Sequence, residues 1–251
     1  LDPHQVQASH ARVQSLIEQK GLHCLESLPR TDSQEVALAV GLLATLSSSF
    51  LVQDDLCFLH LAKLTELALL HGVAPGSTYG LAWYGVMCAE RFGCYHHGHS
   101  CCLAALKLIE RHGLEADLSS ALLALDQLSA WTSPMELARR TAVEAVDSAH
   151  LSGDLAMSCH ACNHLVSDSL IMGRYLPEVA EEVAQGLATA RRHGYLEVAQ
   201  TLLAQQAFVA ALSGTTGTTA TAPSNSPITR FFEYLFAGMS AFYLGNHTQA
   251  M

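Results

Sequence analysis

The sequence predicts an all-α fold, a stack of antiparallel helix pairs, and three observations predict it. Turn residues recur at a fixed interval. The segments between them carry apolar residues at the three- and four-residue spacing of a helix face. Half of the 251 residues are apolar while only 7% are aromatic, a balance that suits close-packed helices and lacks the β-branched and aromatic runs of a β-sandwich.

The interval is the strongest of the three. His71-Gly72, His112-Gly113, Ser152-Gly153 and His193-Gly194 place a glycine every 40 or 41 residues, and Gly93, Ser133, Gly173 and Gly214 follow each of them after 20 or 21. A half-unit of that length holds a helix of about four to five turns and a tight turn. Glycine suits the left-handed position that ends a helix, and a basic residue before it faces the negative end of the helix dipole.

In chain order, a first helix is expected near 4–20. A second, near 33–49, is started by the N-cap region Thr31-Asp32-Ser33. The helix over 54–71 opens with Asp54-Asp55, a pair suited to a helix N-terminus. The helix over 77–92 carries Tyr79, Trp83 and Tyr84. In 95–112, Cys101, Cys102, Ala105, Leu106 and Ile109 form one apolar face, and Asp117 is a candidate cap for 116–131. Pro134 sits just inside the helix over 134–152, where its missing N–H costs nothing. Helices near 154–172, 175–193 (buried through Val179, Ala180, Val183, Ala184 and Leu187), 195–213 and 227–244 complete the series. Residues 213–226, rich in Gly, Thr and Ser and without periodicity, are expected to be a flexible loop in place of one helix. Aligned on their terminal turns, the first helices of each pair share a small column, Ala89, Ser129, Ser169 and Ala210, beside Leu81, Ala121, Ala161 and Leu202. Small residues next to apolar ones let helices cross closely. Residues 1–251 thus read as a single helical-repeat domain, a fragment of a larger protein.

A net charge of −10 with only 13 basic residues, none clustered, argues against nucleic acid as a partner. No signal peptide is visible and no stretch approaches 18 uninterrupted apolar residues, so a cytoplasmic protein with no membrane partner is expected. The eight cysteines are scattered through helical patterns and read as reduced thiols. Neither GxxxxGK[ST] nor GxSxG occurs, and neither catalysis nor a cofactor is expected.

Near the end, Phe242-Tyr243-Leu244-Gly245-Asn246-His247-Thr248-Gln249-Ala250 resembles the turn of a tetratricopeptide repeat. Gly98 and Ala138 hold the alanine-like offset five residues after their turns, whereas Glu178 departs from it. The likeness implies a right-handed superhelix of tetratricopeptide-like pairs with a longer repeat of about 40 residues. A wider likeness is carried by Leu28-Pro29-Arg30-Thr31-Asp32, Leu69-Leu70-His71-Gly72, Tyr79-Gly80-Leu81-Ala82-Trp83-Tyr84-Gly85, Leu106-Lys107-Leu108-Ile109-Glu110-Arg111, Gly153-Asp154-Leu155 and Gly173-Arg174-Tyr175-Leu176. These residues resemble the helical-repeat region of large bacterial multidomain signalling proteins. There it follows a serine/threonine-kinase-like domain and an AAA/STAND ATPase, and precedes GAF and sensor histidine kinase domains. The chain is also similar to the helical sensor domain of maltose-type ATPase transcriptional activators. The resemblance implies a non-catalytic interaction or sensory scaffold that regulates an adjacent ATPase or kinase. Its partners would be other domains of the same polypeptide or a regulatory protein, with a small-molecule effector in the concave groove as a further candidate. The high His and Cys content departs from that family.

Two groups of residues stand out. Tyr79, Trp83 and Tyr84 are candidates for a partner-binding groove on the concave side, with Asn163 and His164 (like Leu123 and Ala124, and Ala204 and Gln205) aligned with Trp83 and Tyr84, and His160 one turn before His164. The run Cys94-Tyr95-His96-His97-Gly98-His99-Ser100-Cys101-Cys102 concentrates imidazole and thiol ligands, and Cys159-His160-Ala161-Cys162 adds a CxxC. If a metal binds, Cys94, His96, His97 and His99 would hold it, which makes a metal- or redox-responsive sensor the alternative function. Cys101 and Cys102 also fit the buried face of their helix, where free cysteine packs as a small hydrophobe.

Overall fold

A computed structural model describes residues 3–46, 53–215 and 226–250. Among them the chain is all-helical. The helices are α1 (Pro3–Lys20), α2 (Gln34–Thr45), α3 (Asp54–His71), α4 (Ser77–Phe92), α5 (Tyr95–His112), α6 (Leu118–Thr132), α7 (Met135–Ser152), α8 (Leu155–Ile171), α9 (Leu176–His193), α10 (Leu196–Leu212), α11 (Pro227–Tyr243) and the single turn α12 (His247–Ala250). Two short 3₁₀ segments, Leu22–Ser27 and Glu115–Asp117, join them. The end of the helix expected over 33–49 and most of the loop expected over 213–226 lie outside the described residues.

The bounds follow from capping chemistry. Ser33 accepts from the Val36 N–H at 3.2 Å to start α2, and Asp154 accepts from the Met157 N–H at 3.0 Å to start α8. Gly72, Gly93, Gly113, Gly153, Gly173, Gly194 and Gly214, the glycines that punctuate the sequence, all have positive φ. The residue after the turn glycine then donates back five residues, as from Arg174 to Ser169, Tyr195 to Ala190 and Thr215 to Ala210 at 2.9–3.0 Å. That bond closes the helix end by satisfying a carbonyl with no helical partner.

Contacts divide the chain into two compact units, residues 1–148 and 149–251. In the first unit, α3, α4, α5 and α6 each pack on the next, and alternate helices also touch, α2 with α4 and α4 with α6. α4 and α5 meet backbone to backbone: a Cβ on Gly85 would lie 2.6 Å from the Gly98 carbonyl oxygen. α1 covers α3 and inserts Val6, Val13 and Ile17 into a core that includes Phe58, Leu61, Leu81, Tyr84 and Leu108. The second unit repeats the scheme. α8, α9, α10 and α11 pack in sequence, α8 also touches α10, and Val166, Val179, Val183 and Leu202 lie in the core. Of the two columns aligned on the sequence, every member is buried except Ala210, which is half-buried.

Among the described residues, no helix is long and apolar enough to cross a membrane.

Candidate interaction groove

The aromatic group proposed for the groove is split by the structure. Tyr79 is half-buried against the core, and Trp83 is half-buried with its indole N–H donating to Ser120 Oγ at 2.7 Å. Tyr84 is fully buried and cannot reach a partner. Its hydroxyl lies 3.1 Å from Nδ1 of His10, whose ring stacks on Phe92 at 3.9 Å between centroids. Tyr84 points inward because α1 folds over α3 and brings His10 to it, a partner far away in sequence. In the second unit His160 is exposed, while Asn163 and His164 are half-buried. The Asn163 carbonyl and Ser167 Oγ accept from the amide of the fully buried Gln205 at 3.4 and 2.9 Å.

The Cys94–Cys102 run is dispersed by the turn and helix it spans. His96 is exposed and His99 half-buried. Cys94 Sγ donates to the Phe92 carbonyl, and Cys102 Sγ to the Ala82 carbonyl. His97 faces α1, with Gln14 donating to its Nε2 at 3.0 Å and Cys101 Sγ 3.8 Å away. Around His10, therefore, gather Tyr84 and Cys88 (Sγ 3.6 Å from Nδ1), with His97 close enough to act on its charge. Among the described residues no three His, Cys, Asp or Glu side chains come together so as to hold a metal ion. Burial pushes the Cys88 thiol up to about 12 and raises Cys101 and Cys102 as well, which keeps all three protonated and unreactive at neutral pH. Burial, with His97 nearby, holds the His10 imidazole below its ordinary value, and burial does the same to His97. The CxxC is likewise packed away: Cys159 is buried, and Cys162 is half-buried with its thiol pushed up to about 11.

Asp117 does not cap its own helix. Its carboxylate accepts from the Gly76 N–H at 2.9 Å and the Thr78 hydroxyl at 2.5 Å, tying down the start of α4 from 39 residues or more away.

A larger recess than either cluster offers lies elsewhere. In the second unit, α8, α10 and α11 enclose a groove of about 750 Å³. Leu170 and Ile171 line one wall, Phe208 and Leu212 a second, and Phe232 and Met239 a third. Arg174, held by Glu178 at 2.5 Å, stands at its end. None of these residues was singled out from the sequence. The available signal was the composition of α11, PITRFFEYLFAGMSAFY, which is aromatic or aliphatic around most of its circumference with only Arg230 and Glu233 charged. A helix so apolar must bury or present more than one face.

A scan against models of protein families found no match, and neither the curated proteins nor the solved structures searched gave one.

Proposed function

We propose that the chain is a non-catalytic interaction scaffold whose second unit takes an amphipathic helix in the groove between α8, α10 and α11. The observation that carries this reading is the groove itself. It is walled by aliphatic and aromatic side chains from three helices, the kind of lining that takes the apolar ridge of one more helix. Helix pairs in which alternate helices touch are the framework on which repeat proteins build such concave surfaces. A tetratricopeptide-like superhelix is the arrangement that the turn at Gly245-Asn246 supports, with the repeat lengthened to about 40 residues. The occupant would be a segment of a neighbouring domain or of a regulatory protein. The signal relayed would reach an ATPase or kinase in a bacterial signal-transduction protein of the cytoplasm, as the family resemblance suggests.

The test uses a fluorescein-labelled model helix with leucine on one face and glutamate and lysine on the other. Its anisotropy should show saturable binding to the chain. Ile171→Glu or Leu212→Glu should weaken that binding at least about tenfold, the effect of losing roughly 1.4 kcal/mol. Glu181→Ala, on an exposed part of α9, should leave it unchanged. Absence of saturable binding, or binding indifferent to the groove variants, would sink the proposal.

A further inference from the structure

Two helices present apolar stripes that the groove does not use. On α2, Leu38, Leu42 and Leu46 are 65%, 68% and 46% exposed at a spacing of four, and the single charge of the helix is Glu35. On α11, Phe231, Tyr234 and Phe242 are 60%, 67% and 58% exposed, and they flank Gly238. Around that glycine a shallow depression of about 430 Å³ is walled by Tyr234, Leu235 and Phe242. Isolated exposed leucines need no explanation, but ordered stripes of this kind mark surfaces that are covered in use.

We propose that α11 of one copy of this chain docks on α2 of a second copy. The two stripes complement each other in shape, charge and register. With the helices laid parallel and Leu42 seated over Gly238, Leu38 falls beside Tyr234, Leu46 beside Phe242 and Glu35 beside Phe231, all at one offset. Glu35 of one copy then meets Arg230 of the other, each in the first turn of its helix. Leucine knobs without aromatics face aromatic ridges with a gap at the glycine, so neither side must yield. A parallel approach also repeats contacts already present within the chain. α2 with α4, α4 with α6 and α8 with α10 pair alternate helices of a series whose short turns make neighbours antiparallel. The contact is heterologous, joining different patches on the two copies.

Sedimentation velocity over a concentration series tests this directly. The wild-type chain should show a weight-average mass that rises above the monomer with concentration. Leu42→Glu and Tyr234→Glu should each stay monomeric. An equimolar mixture of the two should associate, because the first keeps an intact α11 face and the second an intact α2 stripe. Both side chains are exposed, so circular dichroism and melting temperature should match wild type and confirm the fold. A monomeric wild type at the highest soluble concentration overturns the proposal and assigns the stripes to another partner. Self-association of Leu42→Glu at wild-type strength overturns it in favour of α11 pairing with itself, and a mixture that fails to associate overturns it too. Ile171→Glu should self-associate normally, so failure here is distinguishable from failure of groove binding.

Discussion

Around His10, a single side chain joins four others that are distant in sequence, and its chemistry sets how tightly α1 is held. The Tyr84 hydroxyl and Nδ1 of His10 share a hydrogen bond at 3.1 Å, and removing the hydroxyl would leave that nitrogen only the weaker contact with Cys88 Sγ at 3.6 Å. Tyr84→Phe should therefore cost about 1–3 kcal/mol, read as a lower urea midpoint. The same ring responds to pH. His10 and His97 have folded pKa values below the ordinary 6.5 of the unfolded chain. Below about pH 6.5 the unfolded chain takes up protons that the folded rings refuse, so stability falls as pH drops and levels off beneath the depressed folded values. Urea midpoints at several pH values should show this loss, and His10→Phe, which keeps the stack on Phe92, should shrink it. A flat profile between neutral pH and pH 5 in the wild type would contradict the assignment. The contact of Gly85 with Gly98 is equally specific. Gly85→Ala forces α4 and α5 apart and should cost about 1–3 kcal/mol, more than the same change at the open Gly41.

At the scale of elements, helices were legible wherever a chemical stop signal was present. Every expected helix in the described residues occurs within a few residues of its forecast bounds, because glycine in a positive-φ turn ends most of them; α2 and α6, which stop at Leu46 and Ser133, are the exceptions. Gly194→Ala, with φ at 76° and no atom in the way of a Cβ, isolates that backbone effect and should cost about 1–2 kcal/mol by thermal unfolding. Side-chain direction was less legible. Tyr84, Ala124, His164 and Gln205 fall in one column when the repeats are aligned, and the polar residues in it point to a partly solvated surface. Gln205 is nonetheless fully buried, satisfied by Asn163 and Ser167. Polarity signals exposure only when no buried partner exists, and partners on another helix cannot be read from one helix. Asp117 taught the same lesson in reverse: a good N-cap type served a different helix. Asp117→Ala should strip the start of α4 of its acceptor and lower the melting temperature, whereas Asp32→Ala, beside a helix that Ser33 caps, should have a small effect.

For the whole molecule, two compact units with separate cores imply more than one cooperative transition. Differential scanning calorimetry should give a calorimetric enthalpy larger than the van't Hoff enthalpy, and Tyr84→Phe should shift only the component belonging to the first unit. A single transition with equal enthalpies would show that the units unfold together. The groove of the second unit escaped the sequence reading for a related reason. Its walls come from the ends of α8 and α10 and one face of α11, and apart from the apolar composition of α11 none of these segments is unusual alone. Only their packing around an open space makes them a site.

The way α1 is fastened has a consequence for the order of folding. From α3 onward, most partners are the next helix or the next but one, so contacts can form as the chain lengthens. α1 is the exception. His10 waits for Tyr84, 74 residues later, and Gln14 for His97, 83 residues later. During synthesis α1 would thus leave the ribosome well before the helices it settles on, and be among the last of its unit to settle. Until it does, Phe58 and Phe92 lack the ring that His10 places against them. That interval is when the nascent first unit exposes most apolar surface, and when a chaperone would have its best hold on it.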